Sequence, residues 1–177
     1  KFNAPKGVGA LYVRRGVRFY GGQVGGGQER DLRSGTLNVP GIMGMDAALA
    51  FHREHQREHE QHLRALKARL LENLSVLEDI VVNGPSLQEA APHILNVSFL
   101  GVRGEVLLHA ADAEGLCVST GSACSASKKG KNRILEAIGA TGARMQGAIR
   151  FSFSYANTME EMDAAAEIII RQVRLLR

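Results

Sequence analysis

Tryptophan is absent from this 177-residue chain, cysteine occurs twice, proline four times, and aromatic residues make up only 5%. Two cysteines are too few for a disulfide framework. Cys117 and Cys124, seven residues apart, also lack the CxxC spacing of zinc or redox sites. No apolar run approaches the roughly 18 residues of a membrane span. Charge is not one-sided either: 22 basic residues against 18 acidic ones leave +4. That is open to acidic partners but far short of a nucleic-acid-binding signature. The chain opens on Lys1, with no Met, no signal peptide and no organelle-targeting bias. These absences predict a cytoplasmic protein with reduced thiols, no direct nucleic-acid or membrane contact, and a fragment whose beginning is missing.

What is present centres on Ser119-Thr120-Gly121-Ser122-Ala123-Cys124-Ser125-Ala126-Ser127. Small residues surround the Cys124 thiol and cannot bury it. Lys128, Lys129 and Lys131 follow closely, and nearby positive charge favours the thiolate. The residues alone leave two readings, a reactive sulfur or an inert loop thiol. The lysines likewise fit a docking edge for an acidic partner or a solvated loop.

Periodicity places the elements around it. Ala10–Val13 reads as a short buried strand, and Gly21–Gly27 as a glycine-rich surface turn lacking the ending of a phosphate-gripping loop. A long helix is expected over Gly41–Leu77, with Met45, Leu49, Leu63, Leu66, Leu70, Leu74 and Leu77 on one face. His52, His55, His59 and His62 form a second stripe on it. Helical histidines four apart can chelate zinc, but no cysteine or HExxH accompanies them, so no metal is assigned. Strands are expected at Ile80–Val82, Ile94–Phe99, Leu116–Ser119 and Ala148–Ser154. Helices are expected over Gly104–Ala113, from Asn132 to Ile138, and after an Asn157 or Thr158 cap, the last with Ala165, Ile168, Ile169 and Val173 inward. Interleaved strands and helices predict an α+β or α/β layer, with Cys117 packed in its apolar strand.

Separated motifs carry a resemblance. Lys1-Phe2-Asn3-Ala4-Pro5-Lys6-Gly7-Val8-Gly9 resembles the Schiff-base-lysine segment of class V aminotransferase-like enzymes, with Ala4 where glycine is usual. Arg33-Ser34-Gly35-Thr36 looks like that family's phosphate-binding turn. The Ser119 to Ser127 loop is similar to the active-site loop of its cysteine desulfurases, the NifS/IscS-like branch. Ile149-Arg150-Phe151-Ser152 matches the strand bearing the substrate-carboxylate arginine.

The resemblance implies the C-terminal portion of a fold-type I pyridoxal-phosphate-dependent transferase. Residues 1–57 would be the remainder of the large cofactor-binding domain and its linking helix, and 58–177 a small α+β domain. Lys1 would bind pyridoxal 5'-phosphate and shuttle protons. Thr36 would hydrogen-bond the cofactor phosphate of a neighbouring subunit, which requires a homodimer. Arg150 would hold the carboxylate of L-cysteine, and Cys124 would take its sulfur as a persulfide. That sulfur would pass to an acceptor protein, such as an iron–sulfur scaffold, for cluster assembly or tRNA thiolation. The N-terminal part of the same enzyme would be a required partner, and the fragment alone inactive. A selenocysteine lyase or cysteine-sulfinate desulfinase of the same family, and a non-catalytic acceptor-docking fragment, are the competing readings.

Overall fold

Helix α1 (Val39–Leu74) dominates the chain at 36 residues. The computed structural model describes residues 2–120 and 132–177. The helix begins two residues before the expected Gly41, after Asn38, whose side-chain oxygen accepts the Gly41 N–H at 3.1 Å. Pro40 falls in the first turn, where its missing N–H costs nothing. At the other end the Ser75 hydroxyl donates to the Glu72 carbonyl at 2.6 Å. The helix therefore stops before Leu77, which is buried just beyond it.

Two units divide the chain, Lys1–Gln56 and Arg57–Arg177. Among the described residues the first contains turns, a single bridge between Gln23 and Arg33, and the opening of α1. The expected strand at Ala10–Val13 does not form. Leu11 and Tyr12 are 69% and 86% exposed, and among the described residues no strand lies beside them to supply a ladder. An unpaired strand does not hold its shape.

The second unit is built on an antiparallel sheet in the order β1-β2-β3, with β1 at Ile80–Val82, β2 at Ile94–Phe99 and β3 at Ala148–Ser152. Val82 pairs with Val97 in the first ladder, and Val97 with Ile149 in the second. Alternation decides the faces. Leu95, Val97 and Phe99 from β2, with Ile149 and Phe151 from β3, enter the main core. Leu66, Leu70 and Leu74 of α1 join them there. So do Leu107 and Ala111 of α2 (Gly104–Asp112) and Ile169 and Val173 of α5 (Met159–Leu176). Each fully buried leucine or isoleucine contributes about 1.5–3 kcal/mol of transfer free energy. The leucine stripe thus does most of its packing in the second half of α1; Leu49, in the first half, is exposed.

A smaller cluster of Leu135, Ala140 and Ala148 joins α3 (Arg133–Ala137) and the residues after it to the start of β3. Asn132 caps α3 as expected, accepting from the N–H groups of Ile134 and Leu135. Thr158 caps α5 in a reciprocal box with Glu161.

Three expectations need correction in this unit. Leu116–Ser119 is not a strand: the Leu116 N–H is spent closing α2 on the Ala111 carbonyl at 3.0 Å, so only Ser119 reaches the sheet. Cys117, expected to be packed, is consequently exposed, its Sγ donating to Asp112 Oδ1 at 3.8 Å. A short helix α4 (Gly142–Gln146) also lies between α3 and β3, where no element was expected.

Candidate functional site

Arg150 stands on β3, directly opposite Asn96 of β2. The sheet's alternation turns it away from the leucine core and onto the face that carries Asn96, Ser98 and Ala148. The Asn96 and Ser98 side chains on that face are hydrogen-bonded. Asn83 Nδ2 donates to Asn96 Oδ1 and to Ser98 Oγ, both at 2.7 Å. Arg144 Nε donates to Asn83 Oδ1 at 2.7 Å, and the Ser98 hydroxyl to the Arg144 carbonyl at 2.6 Å. Helix α4 is thereby fastened across β1 and β2, immediately before the strand bearing Arg150.

On its free edge β3 meets Ser119. The Ser119 N–H donates to the Arg150 carbonyl at 3.1 Å, and the Arg150 N–H to the Ser119 carbonyl at 2.6 Å. Arg150 Nε is buried and has no hydrogen-bond acceptor among the described residues. A guanidinium stays charged at any physiological pH, and an unsatisfied buried donor costs about 1–3 kcal/mol or more when charged. The site is set up for an anion, and a carboxylate matches the planar fork.

Chain geometry explains the approach to this position. Gly147 precedes β3, where any Cβ would collide with the Phe99 carbonyl and sit 3.1 Å from that of Val102. The Phe99 N–H bonds to the Gly147 carbonyl at 3.0 Å, locking the strand entry to the end of β2.

Thr36 lies in the first unit and is exposed. Its turn is defined by buried Ser34 and by Gly35, whose φ of +112° disfavours any other residue and whose N–H bonds to Gln28 Oε1 at 3.0 Å. Lys1 and Cys124, with the lysines after Cys124, lie outside the described residues. Of the site residues expected from sequence, Arg150 and the stem of the cysteine segment at Ser119 are brought together.

The histidine stripe has other work. His62 Nε2 is 2.8 Å from the Asn157 carbonyl, His59 stacks on Tyr155 with ring centroids 4.3 Å apart, and His55 Nδ1 is 3.0 Å from the Phe51 carbonyl. Through His59 and His62, α1 is held to the turn that precedes α5. Among the described residues no three His, Cys, Asp or Glu side chains converge as a metal site, and no helix is long and apolar enough to cross a membrane.

Sequence reasoning missed Ser119 as the partner of Arg150 and missed the Asn83–Ser98–Arg144 clamp. The available signal was polar residues on one side of otherwise alternating strands: Asn96 and Ser98 between Leu95, Val97 and Phe99.

Comparison with known proteins adds an independent line. The model of the class-V aminotransferase family matches residues 1–165. The cysteine desulfurases IscS of Photorhabdus laumondii and Klebsiella pneumoniae are each 41% identical across the whole chain, which spans 44% of their length. Among solved structures, a NifS-like protein 37% identical superposes with a TM-score of 0.86 over 99% of this chain and 44% of its own. DndA from Streptomyces lividans, 34% identical, gives 0.56 over 76% of this chain and 37% of its own.

Proposed function

Since this chain belongs to the class-V aminotransferase family, we propose that it forms the cysteine-bearing C-terminal portion of a pyridoxal-phosphate-dependent cysteine desulfurase. The observation that carries the reading is the buried, acceptor-less Nε of Arg150 on a strand stitched to Ser119. A carboxylate-binding fork and the base of the thiol segment, five positions before Cys124, share one rung. The identity to IscS desulfurases and the NifS-like fold support it.

The donor set suits the cofactor. Thr36 presents an exposed hydroxyl just ahead of α1, where phosphate is favoured by the helix's N-terminal amides, and Lys1 supplies the amine. When bound, pyridoxal phosphate draws electrons from the amino acid's Cα and Cβ. Arg150 fixes the carboxylate of L-cysteine by two parallel hydrogen bonds and so sets the direction of the side chain. Lys1 moves protons on the substrate carbons. The Cys124 thiolate attacks the substrate sulfur; a sulfur–sulfur bond forms as the carbon–sulfur bond breaks. The electron pair stays with Cβ, which takes a proton, and alanine leaves. Cys124 keeps the extra sulfur as a persulfide and passes it to an acceptor protein, such as an iron–sulfur scaffold or a tRNA-thiolating system. Service of a neighbouring subunit's phosphate by Thr36 makes the working form a homodimer. A thiolate nucleophile suits a reducing, cytoplasmic setting.

The test replaces Cys124 by Ala in the full-length holoenzyme. Alanine release from cysteine should collapse while the cofactor's absorbance and the protein's melting stay normal. Undiminished turnover of cysteine by C124A would refute the assignment.

A further inference from the structure

Between α1 and the β1–β2 connection lies a cavity of about 210 Å³. Val82, Pro85, Leu87, Ala90, Ile94 and Leu95 supply its apolar wall, while Asn83, Asn96, the exposed Glu89 and Lys67 of α1 supply its polar part. Lys67 is only 3% exposed. An ammonium has three donors, and among the described residues its one hydrogen bond goes to the Ala91 carbonyl at 3.1 Å. Among the described residues it forms no ion pair. A lysine this buried is almost always paired. One turn away, Arg64 adds a second positive charge, and its own carboxylate partner is Glu60 at 2.8 Å. Arg64 also donates to the carbonyls of Leu87 and Gln88, both at 3.1 Å, holding the connection over the cavity. Burial first, and the Arg64 guanidinium second, hold the Lys67 pKa below the ordinary lysine value. A nearby anion would relieve both effects.

We infer that this cavity is a binding site for a small carboxylate with an apolar chain. The carboxylate sits on Lys67 Nζ and the chain against Val82, Leu87 and Ile94. Size supports it: an apolar cavity of about 150 Å³ holds benzene, so this one takes a chain of about six carbons. A phosphate fits poorly, because one ammonium, with the Glu89 carboxylate also on the wall, cannot neutralise a dianion.

Hexanoate is the probe, with hexan-1-ol as its uncharged counterpart, each titrated into the full-length holoenzyme by calorimetry. Hexanoate should bind saturably, one per chain, at least tenfold more tightly than hexanol. K67M should weaken hexanoate at least tenfold and leave hexanol unchanged, and A90L should weaken both by narrowing the space. If K67M does not fold, A90L decides: hexanoate binding that survives it overturns the site. Equal affinity for hexanoate and hexanol, or no binding of either, also overturns it. So does hexanoate binding that is lost in R150L but kept in K67M, which would place the carboxylate on Arg150 instead.

Discussion

Ser119 and Arg150 exchange both of their backbone hydrogen bonds, at 3.1 and 2.6 Å. Outside the named strands, no other residue of the second unit enters a bridge among the described residues. The pairing fixes where the chain leaves the sheet at Ser119 relative to the Arg150 side chain. It also separates two parts of Arg150: its backbone pairs with Ser119, while its buried Nε has no acceptor among the described residues. A substitution that keeps the strand therefore tests the side chain alone.

In the whole enzyme, Arg150→Lys should keep the fold and the charge but lose the two-pronged geometry. Loss of a charged hydrogen bond costs about 1.5–3 kcal/mol, which is about 10- to 100-fold in kcat/KM for cysteine, most of it in KM. Steady-state kinetics with a melting curve check this. An unchanged kcat/KM would remove Arg150 from the substrate site.

Gly147→Ala should be costly without touching any side-chain contact. The added methyl would meet the Phe99 carbonyl, and backbone cannot swing aside as a side chain can. Overpacking of this kind costs about 1–3 kcal/mol. Gly9→Ala, with open space around it, is the control and should be near neutral. Denaturant midpoints that coincide for the two variants would contradict the close approach.

Asp163 should make part of the stability acid-sensitive. Arg69 Nε donates to its Oδ1 at 2.7 Å and Arg69 Nη2 to its Oδ2 at 3.1 Å, while Asn73 donates at 2.6 Å. The Arg69 hydrogen bond, then that of Asn73, holds this carboxyl below its usual value of 3.8. With the folded value depressed, the contribution is complete above the unfolded pKa and disappears as pH falls through the folded one. The stability gap between wild type and D163N should thus be widest near neutrality and close progressively below about pH 4. A gap of constant size from neutral to strongly acid pH would show that the carboxylate's charge is not what matters.

Much of the second unit was legible because its signals are local. Asn132 and Thr158 announce their helices by cap chemistry, and Leu66, Leu70 and Leu74 by spacing; all behave as read. Leu116–Ser119 misled because an apolar run has the same composition whether it pairs as a strand or closes a helix. The Ala111 carbonyl, which takes the Leu116 N–H, is invisible to pattern. Ala10–Val13 failed for want of a neighbour, a tertiary requirement. The Arg150 motif was readable as a resemblance, but its tie to Ser119 joins residues 31 positions apart (150 − 119) and no spacing rule reaches it. Nothing in the spacing of Lys67, on a helix rich in charge, marks it as buried; only the fold puts it inside.

The sheet's two best-paired strands are not consecutive in a simple hairpin: the chain leaves β2 at Phe99 and comes back at Gly147, where a 3.0 Å hydrogen bond closes the circuit. Loop-closure entropy grows only logarithmically, by about 0.6 kcal/mol for each doubling of contour length. The pairing of Val97 with Ile149 is therefore governed far more by what the two strands bury than by the number of residues between them.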